Sequence, residues 1–232
     1  MTYRAVFFDA GETLVHPHPT FPELFTQVLA REGFDVSTAD VRAADLMIAD
    51  RFTAAAADNV LWTTSPQRSR TFWHGVYDDF LAQLGVPDGN GLHDVLYREF
   101  TDLGNYALFD DVLPTLQELE GSGLQLGVIS NFEEWLGHLL DRLEIARFFE
   151  VQVISGVEGV EKPDPAIFRL ALERTGVDPG EAAYVGDNPH FDIAPAAELG
   201  MLPVLIDRRA KHPDEATRID ALTELPALLG IG

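Results

Sequence analysis

Both ends of the chain alternate short apolar runs with stripes of helical period. Tyr3 to Phe8 form a run rich in β-branched and aromatic residues that stops at Asp9, the pattern of a buried strand. Further runs read the same way at Leu124 to Ile129, Val151 to Ile154, Ala182 to Val185 and Pro203 to Ile206. Between them, Phe132, Trp135, Leu136, Leu139, Leu140 and Leu143 recur at helical spacing. Other helical patterns run over about Val112 to Leu119, Ala166 to Arg174 and Ile193 to Leu199. Strands alternating with helices mean βαβ units, so the pattern predicts an α/β fold with a parallel sheet of about five strands flanked by helices.

The stretch from His16 to Asn105 breaks the alternation. It shows no convincing strand, but Phe21, Leu24, Phe25, Val28 and Leu29 make one helical stripe. Phe72, Trp73, Val76, Tyr77, Phe80, Leu81 and Leu84 make another, and weaker ones lie around Val41 to Phe52 and Leu92 to Phe100. This predicts an all-helical module over 16–105 inserted into an α/β domain of residues 1–15 and 106–232, with Pro17, Pro19 and Gly104 as breakers at the junctions. The run Ala54 to Ala57 fits a helix end.

Composition narrows the partners. The 232 residues carry 38 acidic and 16 basic side chains, a formal net charge of -22. Nucleic acids and anionic membranes are held by clustered Lys and Arg, so this surface repels both. No apolar run approaches the ~18 residues of a membrane-spanning helix, and the apolar start at Ala5 to Phe8 is too short for a signal peptide. The absence of cysteine excludes a disulfide framework and a thiolate metal site. Together these features point to the cytoplasm. They leave a monomer or a homodimer equally open.

Because most acids here solvate the surface, only placement singles one out. Four polar segments sit where predicted strands end, and open parallel sheets bind ligands outside the carboxyl ends of their strands. Asp9-Ala10-Gly11-Glu12-Thr13 follows the first strand, where a carboxylate can attack phosphorus or carbon and form a covalent intermediate. Ser130 and Asn131 end the second, where a hydroxyl and backbone N–H groups can hold a phosphate oxygen or simply cap a helix. Lys162 stands in Glu161-Lys162-Pro163-Asp164-Pro165 and, with Lys211, makes up all the lysine of the chain. A fixed ammonium there neutralises an anionic substrate. Asp187 and Asp192, five residues apart after a strand, suit a hard cation such as Mg²⁺. Asp192, at a helix start, has capping as a competing role.

In order and context these segments resemble the haloacid dehalogenase superfamily, specifically its phosphatase-like subfamily I members with a helical C1-type cap after the first motif. The resemblance extends to Asp110-Asp111-Val112-Leu113-Pro114 and to Ala194 to Met201, so it covers nearly the whole chain. It implies a Rossmann-like core, a cap over 16–105, Mg²⁺ as cofactor and a small phosphorylated metabolite as substrate. It further implies that Asp9 becomes an aspartyl phosphate, that Thr13 belongs to the catalytic set of the first motif, and that Ser130 and Lys162, with Asn131 facing them, hold the transferring group. Asp9, Asp187 and the Gly11 carbonyl would ligate the metal, with Asp192 behind them.

One departure stands out. Phosphatases of this superfamily usually carry a second Asp where Gly11 stands; it protonates the leaving oxygen and then activates water. General acid–base catalysis contributes roughly 10²- to 10⁴-fold, so its absence implies a slow enzyme, a preference for good leaving groups, or another acid. Glu12, where the family usually has Gly, is the adjacent substitute; His16 and His18 are further candidates. The 2-haloacid dehalogenases also lack that Asp and use no metal, which makes metal-independent dehalogenation the alternative, and a weakened phosphate-binding or regulatory protein is a third. Phosphonatases need a cap lysine, and residues 16–105 contain none. Arg51, Trp62, Arg68, Arg70, Trp73 and His74 have no assignable role from sequence, although Trp73 belongs to an apolar stripe.

Overall fold

The computed structural model describes residues 3–44, 51–52, 54–55, 60–87, 91–213 and 217–231. The chain divides into two compact units, Met1–Val15 with Leu108–Gly232, and His16–Ala107.

The first unit is built on a six-stranded sheet. Its strands are β1 (Ala5–Phe8), β4 (Gln125–Ser130), β5 (Val151–Ile154), β6 (Ala182–Gly186), β7 (Leu202–Ile206) and β8 (Arg218–Ile219), in the order β5-β4-β1-β6-β7-β8. All the pairings are parallel. The chain fills one side of β1 with β4 and β5 and then returns to fill the other with β6, β7 and β8. The order therefore reverses at β1, and the crevice beyond its carboxyl end is where such sheets take ligands. Register fixes who meets there: Phe8 is level with Val128 on β4 and with Val185 on β6, so the residues that follow emerge side by side.

The sixth strand goes beyond the sequence expectation of about five. Arg218–Ile219 is too short and too polar to register as an apolar run, and it exists because Leu205 and Ile206 offer it an open edge. Side-chain fit explains the central strands. Phe7, Phe168, Tyr184 and Val153 are buried together on one face, where each such side chain contributes roughly 1.5–3 kcal/mol. Gly127 makes room for this: a Cβ there would lie 2.7 Å from both Phe7 Cδ1 and Val151 Cγ1.

The helices of this unit follow the apolar stripes. Val112–Gly121 and Pro165–Thr175 match them closely, the second started by Asp164, whose carboxylate accepts from Ala166 N at 2.8 Å. The stripe from Phe132 begins as a turn, and regular helix spans Leu136–Arg142. Pro189–Ile193 forms a wide π-type turn ahead of Ala194–Leu199.

The second unit is helical over Phe21–Arg31, Thr38–Ala44, Pro66–Gln83 and Leu92–Phe100. Aromatic rings make its core, with Phe21 against Phe100 at 4.7 Å and Trp62 stacked on Phe72 at 4.8 Å. Trp62 is buried and Trp73 packs partly buried against the same cluster. Of the stripe Val41 to Phe52, residues 45–50 lie outside the described residues, as do 56–57 of the alanine run. The connecting segments β2 (Val15–Pro17) and β3 (Tyr106–Leu108) pair as a two-stranded sheet. No helix among the described residues is long and apolar enough to cross a membrane.

Candidate active site

Asp9 leaves β1 with its N–H bonded to Val185 O at 2.8 Å, which pins its backbone to β6. The chain then turns tightly, Leu14 N and Val15 N both donating to Ala10 O. Asp9, Ser130, Lys162 and Asp192 are all buried, with Asp9 7% and Lys162 3% exposed. They form one hydrogen-bonded group. Ser130 Oγ donates to Asp9 Oδ1 at 2.9 Å, and Lys162 Nζ lies 2.8 Å from the same oxygen. Lys162 Nζ also reaches Asp192 Oδ1 at 2.6 Å and the Tyr184 hydroxyl at 3.0 Å. An ammonium has three protons, and here three acceptors meet them.

Tyr184 is a member of this group that sequence reasoning does not assign. Its hydroxyl accepts from Lys162 and lies 2.9 Å from Ile129 O and 3.0 Å from Asp192 Oδ1, either of which takes its single proton. Set within the apolar run of β6, it reads as core. The available signal is a tyrosine one turn of the strand pleat before the tip that bears Asp187. Asn131 turns its amide onto the backbone of Lys162, accepting from Lys162 N at 2.6 Å and donating to Lys162 O at 2.8 Å. It thereby fixes the lysine's position across the sheet.

Asp192 is held from its other side by Asn188 N, which donates to Oδ2 at 3.0 Å. Gly186 is required for this approach, since a Cβ there would fall 2.4 Å from Asp192 Cγ. Asp187, half-buried, has no hydrogen bond or ion pair on its carboxylate among the described residues. One oxygen each of Asp9, Asp187 and Asp192 lie within 4.8 Å of one another.

The electrostatics follow from three carboxylates sharing one ammonium. Burial, then the charges of Asp192 and Asp9, push the Asp187 carboxyl well above its ordinary value. Burial also raises Asp9, against the opposing pull of Lys162. Burial alone would lower Lys162, but the charges of Asp192 and Asp9 outweigh it and raise its pKa, so the ammonium is permanent. Excess negative charge, oxygen-only donors, and an Asp187 carboxylate and Asp9 Oδ2 that make no hydrogen bond among the described residues fit a hard divalent cation. Asp192 has both oxygens engaged by protein donors, which suits it to orient the other groups.

The remaining expected residues lie around this cluster. Thr13 is fully buried; its Oγ1 has no hydrogen-bond partner among the described residues, and its carbonyl accepts from Arg208 at 2.9 Å. A Cβ placed on Gly11 meets nothing closer than Phe132 Cε2 at 4.0 Å. Glu12 is ion-paired with Arg209 at 2.7 Å, and its charge is among those that raise Asp187. His16 and His18 belong to the helical unit and face each other edge to ring at 6.1 Å. There too, Arg51 pairs with Asp79 at 2.7 Å, Arg68 reaches Thr64 Oγ1 at 3.0 Å, and Arg70 reaches Asp94 at 2.6 Å.

Comparison with known proteins adds context to this geometry. The model of the haloacid dehalogenase-like hydrolase family matches residues 3–200. The zebrafish haloacid dehalogenase-like hydrolase domain-containing protein 3 is 31% identical over 234 residues, covering 97% of this chain and 96% of that protein. A glyceraldehyde 3-phosphate phosphatase of Methanopyrus kandleri is 44% identical over 115 residues, spanning 48% of each chain. Among solved structures, the magnesium-bound HAD-hydrolase YfnB of Bacillus subtilis superposes with a TM-score of 0.82 at 17% identity, covering 100% of both chains.

Proposed function

The chain belongs to the haloacid dehalogenase-like hydrolases, and on that premise we propose that it is a Mg²⁺-dependent phosphatase acting on a small phosphorylated metabolite in the cytoplasm. The observation that carries this reading is the buried Asp9 carboxylate, bonded through one oxygen to Ser130 and Lys162 and within 4.8 Å of Asp187 and Asp192. The phosphatase relatives support the choice of substrate class.

In this mechanism Asp9 is the nucleophile. Ser130 and Lys162 hold Oδ1 in the free enzyme; with substrate bound they turn to the phosphoryl oxygens, which leaves one Asp9 oxygen to attack phosphorus and the other for the cation. As the Asp9–phosphorus bond forms, the bond from phosphorus to the leaving oxygen breaks, and that oxygen takes a proton. Water then attacks the aspartyl phosphate and restores the carboxylate. Ser130 and Lys162 stabilise charge on the transferring group, and their burial removes the water that would screen them. Asp9, Asp187 and the Gly11 carbonyl would hold Mg²⁺, with Asp192 positioning them. The ion supplies charge neutralisation between a carboxylate nucleophile and an anionic phosphate. Asn131 and Tyr184 position Lys162, and the helical unit over residues 16–107 serves as a cap that selects the leaving group. Glu12 is the adjacent candidate for the missing acid, although serving as one requires its pair with Arg209 to open.

Phosphate release from a panel of phosphate esters and anhydrides, with and without Mg²⁺, tests the reading. Turnover that needs Mg²⁺ and disappears in Asp9→Asn is the expected result. Chloride release from 2-chloropropionate without metal would replace it with the dehalogenase, and phosphate binding without turnover with a regulatory protein.

A further inference from the structure

Away from the carboxylate cluster, the helical unit brings together a set of side chains that the phosphatase reading does not use. His74 projects from helix Pro66–Gln83 and His93 from helix Leu92–Phe100, their rings stacked at 4.4 Å with planes 29° apart. Both direct Nε2 at one carboxylate: His74 Nε2 lies 3.3 Å from Asp94 Oδ1 and His93 Nε2 3.8 Å from Asp94 Oδ2. One ligand atom from each of the three residues lies within 4.8 Å of the others.

We infer that His74, His93 and Asp94 form a binding site for a divalent transition-metal ion of the zinc class, which clips the two helices together. A tetrahedral ion with bonds of about 2.0–2.1 Å holds its ligand atoms about 3.3 Å apart, so closing this site takes only small side-chain movements. Two imidazoles and one carboxylate favour Zn²⁺, Co²⁺ or Ni²⁺ over Mg²⁺ and Ca²⁺, which take oxygen ligands.

The arrangement around His93 is what separates this from a chance meeting of polar side chains. Its Nδ1 lies 2.9 Å from Asp78 Oδ1. An ionised carboxylate only accepts, so Nδ1 carries a proton, and a metal ion would bind the ring through Nε2. A histidine oriented by a carboxylate on its far nitrogen is the support metal-ligating imidazoles use. The set is also accessible, with the side chains of His74, His93 and Asp94 22%, 25% and 49% exposed.

A cation already stands at this position. Arg70 donates to Asp94 Oδ1 at 2.6 Å, and its Nε lies 3.4 Å from His74 Nε2. The guanidinium and the metal ion therefore compete for the same carboxylate and the same imidazole nitrogen. Binding displaces Arg70 from Asp94, after which waters complete the metal's coordination.

Calorimetric titration of the full chain with Zn²⁺, in excess Mg²⁺ to occupy the carboxylate cluster, tests the site together with Co²⁺ absorption spectra. Wild type is expected to bind one more Zn²⁺ per chain than His74→Gln/His93→Gln, and to show a Co²⁺ ligand-field band that this variant lacks. Arg70→Gln, which removes the competing charge, is expected to tighten Zn²⁺ roughly fivefold. Asp78→Ala is expected to weaken it by about tenfold. Far-UV circular dichroism establishes that each variant is folded. Equal stoichiometry and indistinguishable Co²⁺ spectra in folded wild type and double variant would overturn the proposal, as would weaker Zn²⁺ binding in Arg70→Gln.

Discussion

Two neighbouring residues set the chemistry and the strain of the loop after β1. Gly11 lacks the carboxyl that family phosphatases use as acid and base, yet nothing steric forbids one, since a Cβ there has open space out to Phe132 Cε2 at 4.0 Å. Gly11→Asp is therefore expected to fold normally and to raise turnover by roughly 10²- to 10⁴-fold, most on substrates with poor leaving groups. Rates across a series of aryl and alkyl phosphates check this; an unchanged dependence on leaving-group pKa would mean that protonation does not limit the enzyme. Glu12 sits at φ +56°, the left-handed region, which for a residue with a Cβ costs about 1–2 kcal/mol. Its pair with Arg209 is substantially exposed on both sides and returns little of that. Glu12→Gly is thus expected to stabilise the fold by about 0.5–1 kcal/mol, after allowing for the greater freedom of unfolded glycine. Urea melts give the stability. A parallel fall in turnover, reproduced by Glu12→Gln, would mark Glu12 as the working acid, whereas unchanged turnover and pH profile would remove it.

At the scale of elements, one ion pair ties the loop after β1 to the far end of the chain. Arg208, just after β7, donates to both oxygens of Asp111 at 2.8 and 2.9 Å and to Thr13 O at 2.9 Å. Leu222 N adds a further bond to Asp111 at 2.8 Å. Burial by itself would raise the Asp111 carboxyl, but the bonds from Arg208 and Leu222 outweigh it and hold the pKa below its ordinary value. A depressed acid contributes stability above its unfolded pKa and loses it as pH falls through the folded one. Asp111→Asn is accordingly expected to cost about 3 kcal/mol at neutral pH, with the gap from wild type narrowing once pH drops below about 3.9. Urea melts across that range test it, and a gap independent of pH would place the cost in packing instead. This bridge marks the limit of what the sequence makes legible. The central strands are legible because each is a continuous apolar run, and Asp9, Ser130, Lys162, Asp187 and Asp192 because each stands at or beyond a strand end. Tyr184 is hidden inside such a run, and its role arises only from the register that sets β6 beside β1. The amide of Asn131 on the Lys162 backbone joins segments 31 residues apart, and local spacing says nothing of that. Arg218–Ile219 becomes a strand through its neighbour rather than through its own pattern.

Over the whole molecule the dominant quantity is charge. A formal net charge of -22 surrounds a site proposed to take an anion and a cation together, so the same field opposes one and favours the other. Its reach is set by ionic strength, with a Debye length of about 10 Å at 0.1 M and about 3 Å at 1 M. Adding monovalent salt therefore weakens the repulsion of a phosphorylated substrate and the attraction of Mg²⁺ alike. With Mg²⁺ saturating, the KM for an anionic phosphate ester is expected to fall about threefold as salt is raised, because screening speeds the encounter. With substrate saturating, the Mg²⁺ concentration needed for half-maximal activity is expected to rise over the same range. Opposite signs make the pair of titrations diagnostic, since general inhibition by salt would raise both values. If instead neither value changes, the site is shielded from the surface field, and Lys162 with the bound cation alone sets the local potential that the substrate meets.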